Sequence, residues 1–151
     1  MAKKINTLVK DVNKIFSDIG AGKPIKLPEQ RVDVLVNNLK EVLYQWATPR
    51  EKSVGLRMSN VGRPNRQLWY DIKSNKNQEE LSPAVVFRFL YGHIVEELLL
   101  FFVELAGHKV EHAQAEVKVL GLKGHVDCII DDVVIDIKSA SDYSFRKFKD
   151  G

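Results

Sequence analysis

Apolar residues in the N-terminal part of the chain recur at helical spacing. Ile5, Leu8, Val9, Val12, Ile15, Phe16 and Ile19 share one helical face, and Gly20 and Gly22 end the pattern, which predicts a helix over 5–19. A second helix is expected from about Pro28, whose fixed φ suits a first turn, with Val32, Leu35, Val36, Leu39, Val42, Leu43 and Trp46 as its apolar positions. No chemistry is evident in either helix, so residues 1–55 read as a helical accessory region. The stretch from Leu56 to Ile72 differs: Ser59-Asn60 suits a cap, Gly62-Arg63-Pro64 a turn, and Leu68 and Trp69 are expected in the core. Residues 73–80 are polar and read as a surface loop. A long helix follows, with Ser82 as N-cap, Pro83 at the first helical position and Gly107 at its end. From Lys109 the period changes to two, which predicts strands near 109–120, 124–130 and 133–138. The elements define an α/β fold, with helices packed on an antiparallel-rich mixed sheet of at least three strands.

The segment from Gly124 to Ser141 carries the most information. Asp131-Asp132 stands between two β-branched runs, as a two-residue hairpin turn does. Such a turn pairs Ile130 with Val133, Ile129 with Val134 and Cys128 with Ile135. Continued outward, it sets Asp127 opposite Asp136, Val126 opposite Ile137 and His125 opposite Lys138. Alternation then gives one apolar face (Val126, Cys128, Ile130, Val133, Ile135, Ile137) and one face with His125, Asp127, Ile129, Val134, Asp136 and Lys138. Two carboxylates directly opposite each other repel unless a cation sits between them. Mg²⁺ or Mn²⁺ suits such oxygen ligands, and Lys138 on the same face suits the stabilisation of developing negative charge. The alternative is a solvated strand face on which Lys138 neutralises Asp136.

The helix from 82 to about 106 is apolar nearly all round from Leu98 to Val103, which predicts burial. His93, Glu96 and Glu97 precede that run, and His93 shares a helical face with both. Charged groups beside a buried stretch need partners, so a third carboxylate reaching the Asp127/Asp136 pair is expected here. Pairing of Glu96 or Glu97 with a basic residue such as Arg88, with His93 an ordinary hydrogen-bonded histidine, is the plainer alternative.

Composition narrows the classes. At 151 residues and 44% hydrophobic content the chain suits one domain-sized core. A formal charge of +3 permits a nucleic-acid partner without arguing for one. The single cysteine, Cys128, excludes an internal disulfide, a cysteine-based zinc site and an iron–sulfur cluster. The sequence opens without a secretory leader pattern, and its longest apolar run is far short of a membrane span, so no membrane partner and a cytoplasmic location are expected.

Three segments resemble the PD-(D/E)XK nuclease superfamily, nearest its RecB-like branch, which includes phage and mitochondrial genome maintenance exonucleases. Gly92-His93-Ile94-Val95-Glu96 is similar to the G-x-x-x-E or G-x-x-x-H helix motif, Gly124-His125-Val126-Asp127 to the G-x-x-D strand, and Asp136-Ile137-Lys138 matches the (D/E)-x-K tripeptide. The resemblance implies a restriction-endonuclease-like core over 56–151 and a metal-dependent DNA exonuclease. Glu96, Asp127 and Asp136 would be metal ligands for Mg²⁺ or Mn²⁺, with the Ile137 carbonyl and His93 as further candidates and Lys138 as the catalytic lysine. Ser59, Arg63 and Arg66 lie in a segment similar to the branch's N-terminal motif and would contact DNA. Arg146 and Lys149, beside Tyr143, are basic positions suited to the DNA backbone. The chain departs from the family in lacking the four cysteines that many RecB-like members carry. It also stops inside the helix that usually bears a Q-x-x-x-Y motif, so it is expected to be the N-terminal portion of a longer protein or a naturally short variant, in the host cytoplasm if phage-encoded. Two alternatives of other classes are a DNA-binding or scaffolding module that does not cut, and a small α/β protein whose acidic face meets a protein partner.

Overall fold

A computed structural model describes residues 3–48, 58–73, 81–111 and 115–149. Helix α1 spans Leu8–Gly20, entered through a short 3₁₀ turn at Ile5–Thr7, and α2 spans Glu29–Ala47. Pro28 sits one residue before α2, where its missing N–H costs nothing, and its carbonyl accepts from the Arg31 and Val32 amides. A 3₁₀ turn at Met58–Asn60 leads to α3 (Asn65–Lys73), and α4 spans Pro83–Leu105 with Ser82 at the N-cap position. The strands are β1 (Val110–Glu111), β2 (Ala115–Val119), β3 (Leu122–Val126), β4 (Cys128–Ile130) and β5 (Val133–Ile135), and α5 (Asp142–Lys149) follows.

The molecule is mixed α/β, with helices beside two small antiparallel sheets ordered β1-β4-β5 and β2-β3. The expected single strands over 109–120 and 124–130 are each divided between these sheets; residues 112–114 of the first lie outside the described residues. The division accompanies a shift of register. Glu111 pairs with Ile129 and Ala115 with Val126, so four steps on one side match three on the other and the facing side chains change sheet face. Asp127 is the single residue between β3 and β4.

Both hairpins close through two-residue turns with positive φ at both central residues, the signature of type I′. In the β4–β5 turn these are Asp131 and Asp132, and the pairings Ile130–Val133, Ile129–Val134 and Cys128–Ile135 agree with the expected register. The Asp131 amide donates to the Lys109 carbonyl at 3.0 Å, and Asp131 Oδ1 accepts from the Lys109 amide at 3.0 Å, which fixes the turn against the end of α4.

The core lies where α4 crosses β4. Leu100, Val103, Cys128 and Ile130 are buried together, and Ile5, Leu8, Val12, Val110, Ile135 and Ile137 pack against them. Helix α1 thus closes the same core, with Phe16 against Phe102 at a ring-centroid distance of 4.7 Å. Burial of α4 is one-sided: Leu100, Phe101 and Val103 face inward, while Leu98 and Leu99 stay partly exposed. Trp69, expected in the core, is 54% exposed on α3 and packs edge-on against Tyr70. A nine-residue helix with a single half-buried apolar position, Leu68, has no inner face wide enough to take an indole.

Candidate functional site

The carboxylates of the hairpin meet just beyond its last ladder pair. Pairing ends at Cys128–Ile135, so Asp127 and Asp136 are not ladder partners, and Val126 and His125 pair with Ala115 and Glu116 of β2 instead of Ile137 and Lys138. The reason is the change of sheet: once β3 has joined β2, its backbone groups are committed there. Contact is made by side chains. Asp127 Oδ2 accepts from the Ile137 amide at 2.9 Å, supplying the bond that the missing ladder pair does not. Asp136 lies within hydrogen-bonding reach of Asp127, and Lys138 Nζ pairs with Asp136 Oδ2.

This cluster is open to solvent, with Asp136 and Lys138 side chains 64% and 75% exposed. The Lys138 hydrogen bond holds the Asp136 carboxyl below the usual carboxylate range, and the same bond raises Lys138 above the usual lysine value. Lys138 is therefore an ammonium at neutral pH, a donor and a charge rather than a base. Beneath the cluster, burial pushes the Cys128 thiol up to about 11, helped by the charges of Asp127 and Glu96. That thiol is inert packing.

The helix motif packs beside the same segment. A Cβ at Gly92 would stand 3.7 Å from Ser139 Oγ, an ordinary contact, so the residue after the D-x-K tripeptide rests on the first turn of Gly92-x-x-x-Glu96. Glu96 faces a cavity of about 480 Å³ shared with His93, Glu97, His125 of β3, and Asn38 and Glu41 of α2. Asn38 Nδ2 donates to Glu97 Oε2 at 2.9 Å, so Glu97 finds an amide in place of the basic partner considered for it. Trp46 Nε1 donates to His93 Nδ1 at 3.1 Å. An indole can only donate, so a neutral His93 carries its proton on Nε2 and presents a donor to its surroundings. His93 becomes a metal ligand in this arrangement only by giving up Trp46.

The structure thus brings Asp127, Asp136, Ile137 and Lys138 together and places Glu96 and His93 on the neighbouring cavity. Among the described residues no group of three or more His, Cys, Asp or Glu side chains is close enough to hold a metal ion. The carboxylate pair suits a divalent cation by its chemistry, since two oxygen donors of like charge stand against each other with one lysine for neutralisation. Helix α2, in which the sequence suggested no chemistry, supplies a wall of the cavity and the partner of His93. Trp46 looked like one more apolar position at helical spacing, and nothing local distinguishes an indole that bonds a histidine 47 residues away.

The candidate DNA contacts fall on two segments. Ser59 lies in the Met58–Asn60 turn, and Arg63 and Arg66 are exposed at the start of α3, with Arg66 over the Tyr70 ring at 5.9 Å. Arg146 and Lys149 are exposed on α5. That helix is capped at its start: the Ser144 amide donates to Ser141 Oγ at 3.3 Å. Its Tyr143, Phe145 and Phe148 are 79%, 58% and 86% exposed.

Comparison with protein-family models, curated proteins and solved structures finds no match to the chain. Among the described residues no helix is long and apolar enough to cross a membrane.

Proposed function

We propose that the chain is a Mg²⁺- or Mn²⁺-dependent deoxyribonuclease with a PD-(D/E)XK core, acting on DNA as an exonuclease. The observation that supports this reading is the meeting of Asp127, Asp136 and Lys138 at one end of the β4–β5 hairpin, with the chain order Asp, then D-x-K. Two carboxylates brought close together repel, and a cation or a proton between them relieves that repulsion. Asp127 and Asp136 would hold the metal, with the Ile137 carbonyl beside them and Glu96 approaching from α4. A metal ion there supplies Lewis-acid stabilisation of the phosphoryl oxygens and a more acidic water.

The protein's own groups define the rest. The Ile137 amide fixes one oxygen of Asp127. Lys138, held as an ammonium, places positive charge where charge develops on the attacked phosphate. Arg63, Arg66, Arg146 and Lys149 hold the strand through its phosphates, which fixes position but not sequence.

The test is Mn²⁺-dependent loss of label from end-labelled linear DNA by the wild-type chain and by Lys138→Ala. Cleavage present in the first and absent in the second is expected. Equal cleavage by both would remove Lys138 from the mechanism. No cleavage, with salt-dependent DNA binding that Asp136→Ala leaves intact, would favour a binding or scaffolding module.

A further inference from the structure

Gly124 stands inside β3, paired with Val117 of β2, where a glycine weakens a strand and needs a reason. The reason is Met58. A Cβ built on Gly124 would lie 2.5 Å from Met58 Sδ, 2.9 Å from its Cβ and 3.1 Å from its Cγ. The thioether could swing aside, but the Met58 Cβ is fixed to the backbone of the Met58–Asn60 turn, so a side chain at 124 must displace the turn itself. That turn opens the segment bearing Arg63 and Arg66, which shares a small open pocket with Leu122 of the same strand. Three residues beyond Gly124, about 10 Å along an extended chain, comes Asp127. The basic segment and the acidic pair are thus mounted on one strand, with the missing side chain of Gly124 as the joint.

We propose that Gly124 is a positioning residue: by admitting Met58 it sets the Arg63/Arg66 segment at a fixed distance from Asp127, so that a DNA strand gripped by the arginines is presented to the carboxylates. This rests on the nuclease reading above. Gly124 touches neither metal nor substrate and acts only through the segment it docks.

The experiment compares wild type, Gly124→Ala, Met58→Gly and the double variant in the full chain. Three readouts are followed: KM and kcat on linear DNA, Mn²⁺ affinity, and hydrogen exchange across residues 58–73. Gly124→Ala is expected to raise KM about tenfold with kcat within about twofold, since a shifted substrate anchor is a positioning defect. Mn²⁺ affinity stays unchanged and exchange in 58–73 accelerates. Met58→Gly in the Gly124→Ala background removes the Cβ that a side chain at 124 would meet, so both KM and exchange return toward wild type. Unchanged exchange in Gly124→Ala, or no recovery in the double variant, overturns the proposal. A Gly124→Ala chain that fails to fold leaves the double variant as the deciding species, and its failure too overturns the joint. Wild-type protein without DNA binding or cleavage overturns the nuclease reading, and the joint is then decided by exchange alone.

Discussion

Two clusters in this molecule have nearly the same composition, a basic group with two aspartates, and opposite designs. In one, His108 lies between Asp11 of α1 and Asp131 of the β4–β5 turn, with Nδ1 2.6 Å from Asp131 Oδ2 and Nε2 3.2 Å from Asp11 Oδ2. The His108 side chain is fully buried and Asp131 nearly so. Each aspartate has further donors: Lys3 and Thr7 on Asp11, and the Lys109 amide on Asp131. In the other cluster, Lys138 and Asp136 are largely exposed, and Asp136 faces a second carboxylate rather than a second donor. A buried polar group must be satisfied to be tolerated, whereas an exposed one can be left with capacity for something else. Saturation marks a structural joint, and unspent acceptor capacity at a solvent edge is what the proposed site would use.

The largest effect that would break this contrast is catalytic. Asp136→Asn is expected to lower DNA cleavage about a hundredfold or more, as removal of one charge-stabilising group does. Its thermal midpoint should stay at or above that of wild type, because an exposed ion pair contributes little and the repulsion with Asp127 is relieved. A variant that cuts normally but melts early would reverse the assignment of the two clusters.

His108→Ala should behave in the opposite sense. Leaving Asp131 buried without its imidazole is expected to cost about 3 kcal/mol, read from the urea midpoint, while turnover per folded molecule is unchanged. Asp131 adds a pH signature. Burial pushes its carboxyl up, but the His108 and Lys109 hydrogen bonds outweigh that and hold it below 3.8. A lowered carboxylate contributes stability that is present above its unfolded value and lost as pH falls through its folded value. Stability should therefore decline from about pH 4 downward, and Asp131→Asn should flatten that decline. An unaltered acid limb in the variant would sink the linkage.

The sequence made one of these clusters visible and hid the other. The Asp127, Asp136 and Lys138 group was readable because its members lie within twelve residues around one two-residue turn, although the ladder pairing expected for Asp127 and Asp136 stops one step short of them. His108 was not, since its partners are 97 and 23 residues away and no local periodicity encodes them. A signal was nonetheless present. Asp-Asp in a turn that demands positive φ at both positions is weak turn chemistry, and such a turn gains from an outside contact, which Asp131 has in His108 and Lys109. The same limit explains the divided strands: alternation runs smoothly through Asp127, but the change of partner from β2 to β1 and β5 is a property of the ladders.

The alkaline side offers a further check between the regions, through Cys128, which lies beneath the exposed cluster. Its thiol is raised from 9.0 to about 11 by burial first and by the charges of Asp127 and Glu96 next. A raised pKa means stability present below the unfolded value and lost as pH climbs through the folded one, so the loss should fall between about pH 9 and 11. Cys128→Ala should remove that limb, and the native thiol should resist alkylation at pH 8. Rapid labelling of folded protein would contradict the burial.

The smallest effect concerns the seam between the two designs. The Trp46–His93 bond is half-buried, joins α2 to the helix bearing Glu96, and belongs to neither extreme. Trp46→Phe keeps most of the apolar contact and deletes one donor, so about 1 kcal/mol of stability should be lost. The more telling readout is the His93 ring. With the indole N–H present, Nδ1 is an acceptor and the neutral proton resides on Nε2; without it the two tautomers are free to mix, and the ¹⁵N shifts of the ring should move accordingly. If Trp46 serves only packing, those shifts stay put and Mn²⁺ affinity is unaltered. If its bond keeps His93 out of the metal's coordination, Mn²⁺ should bind Trp46→Phe more tightly than wild type, and the gain should vanish in Trp46→Phe/His93→Ala. That outcome would place α2, silent in the sequence, in control of which side chains of α4 can join the acidic pair.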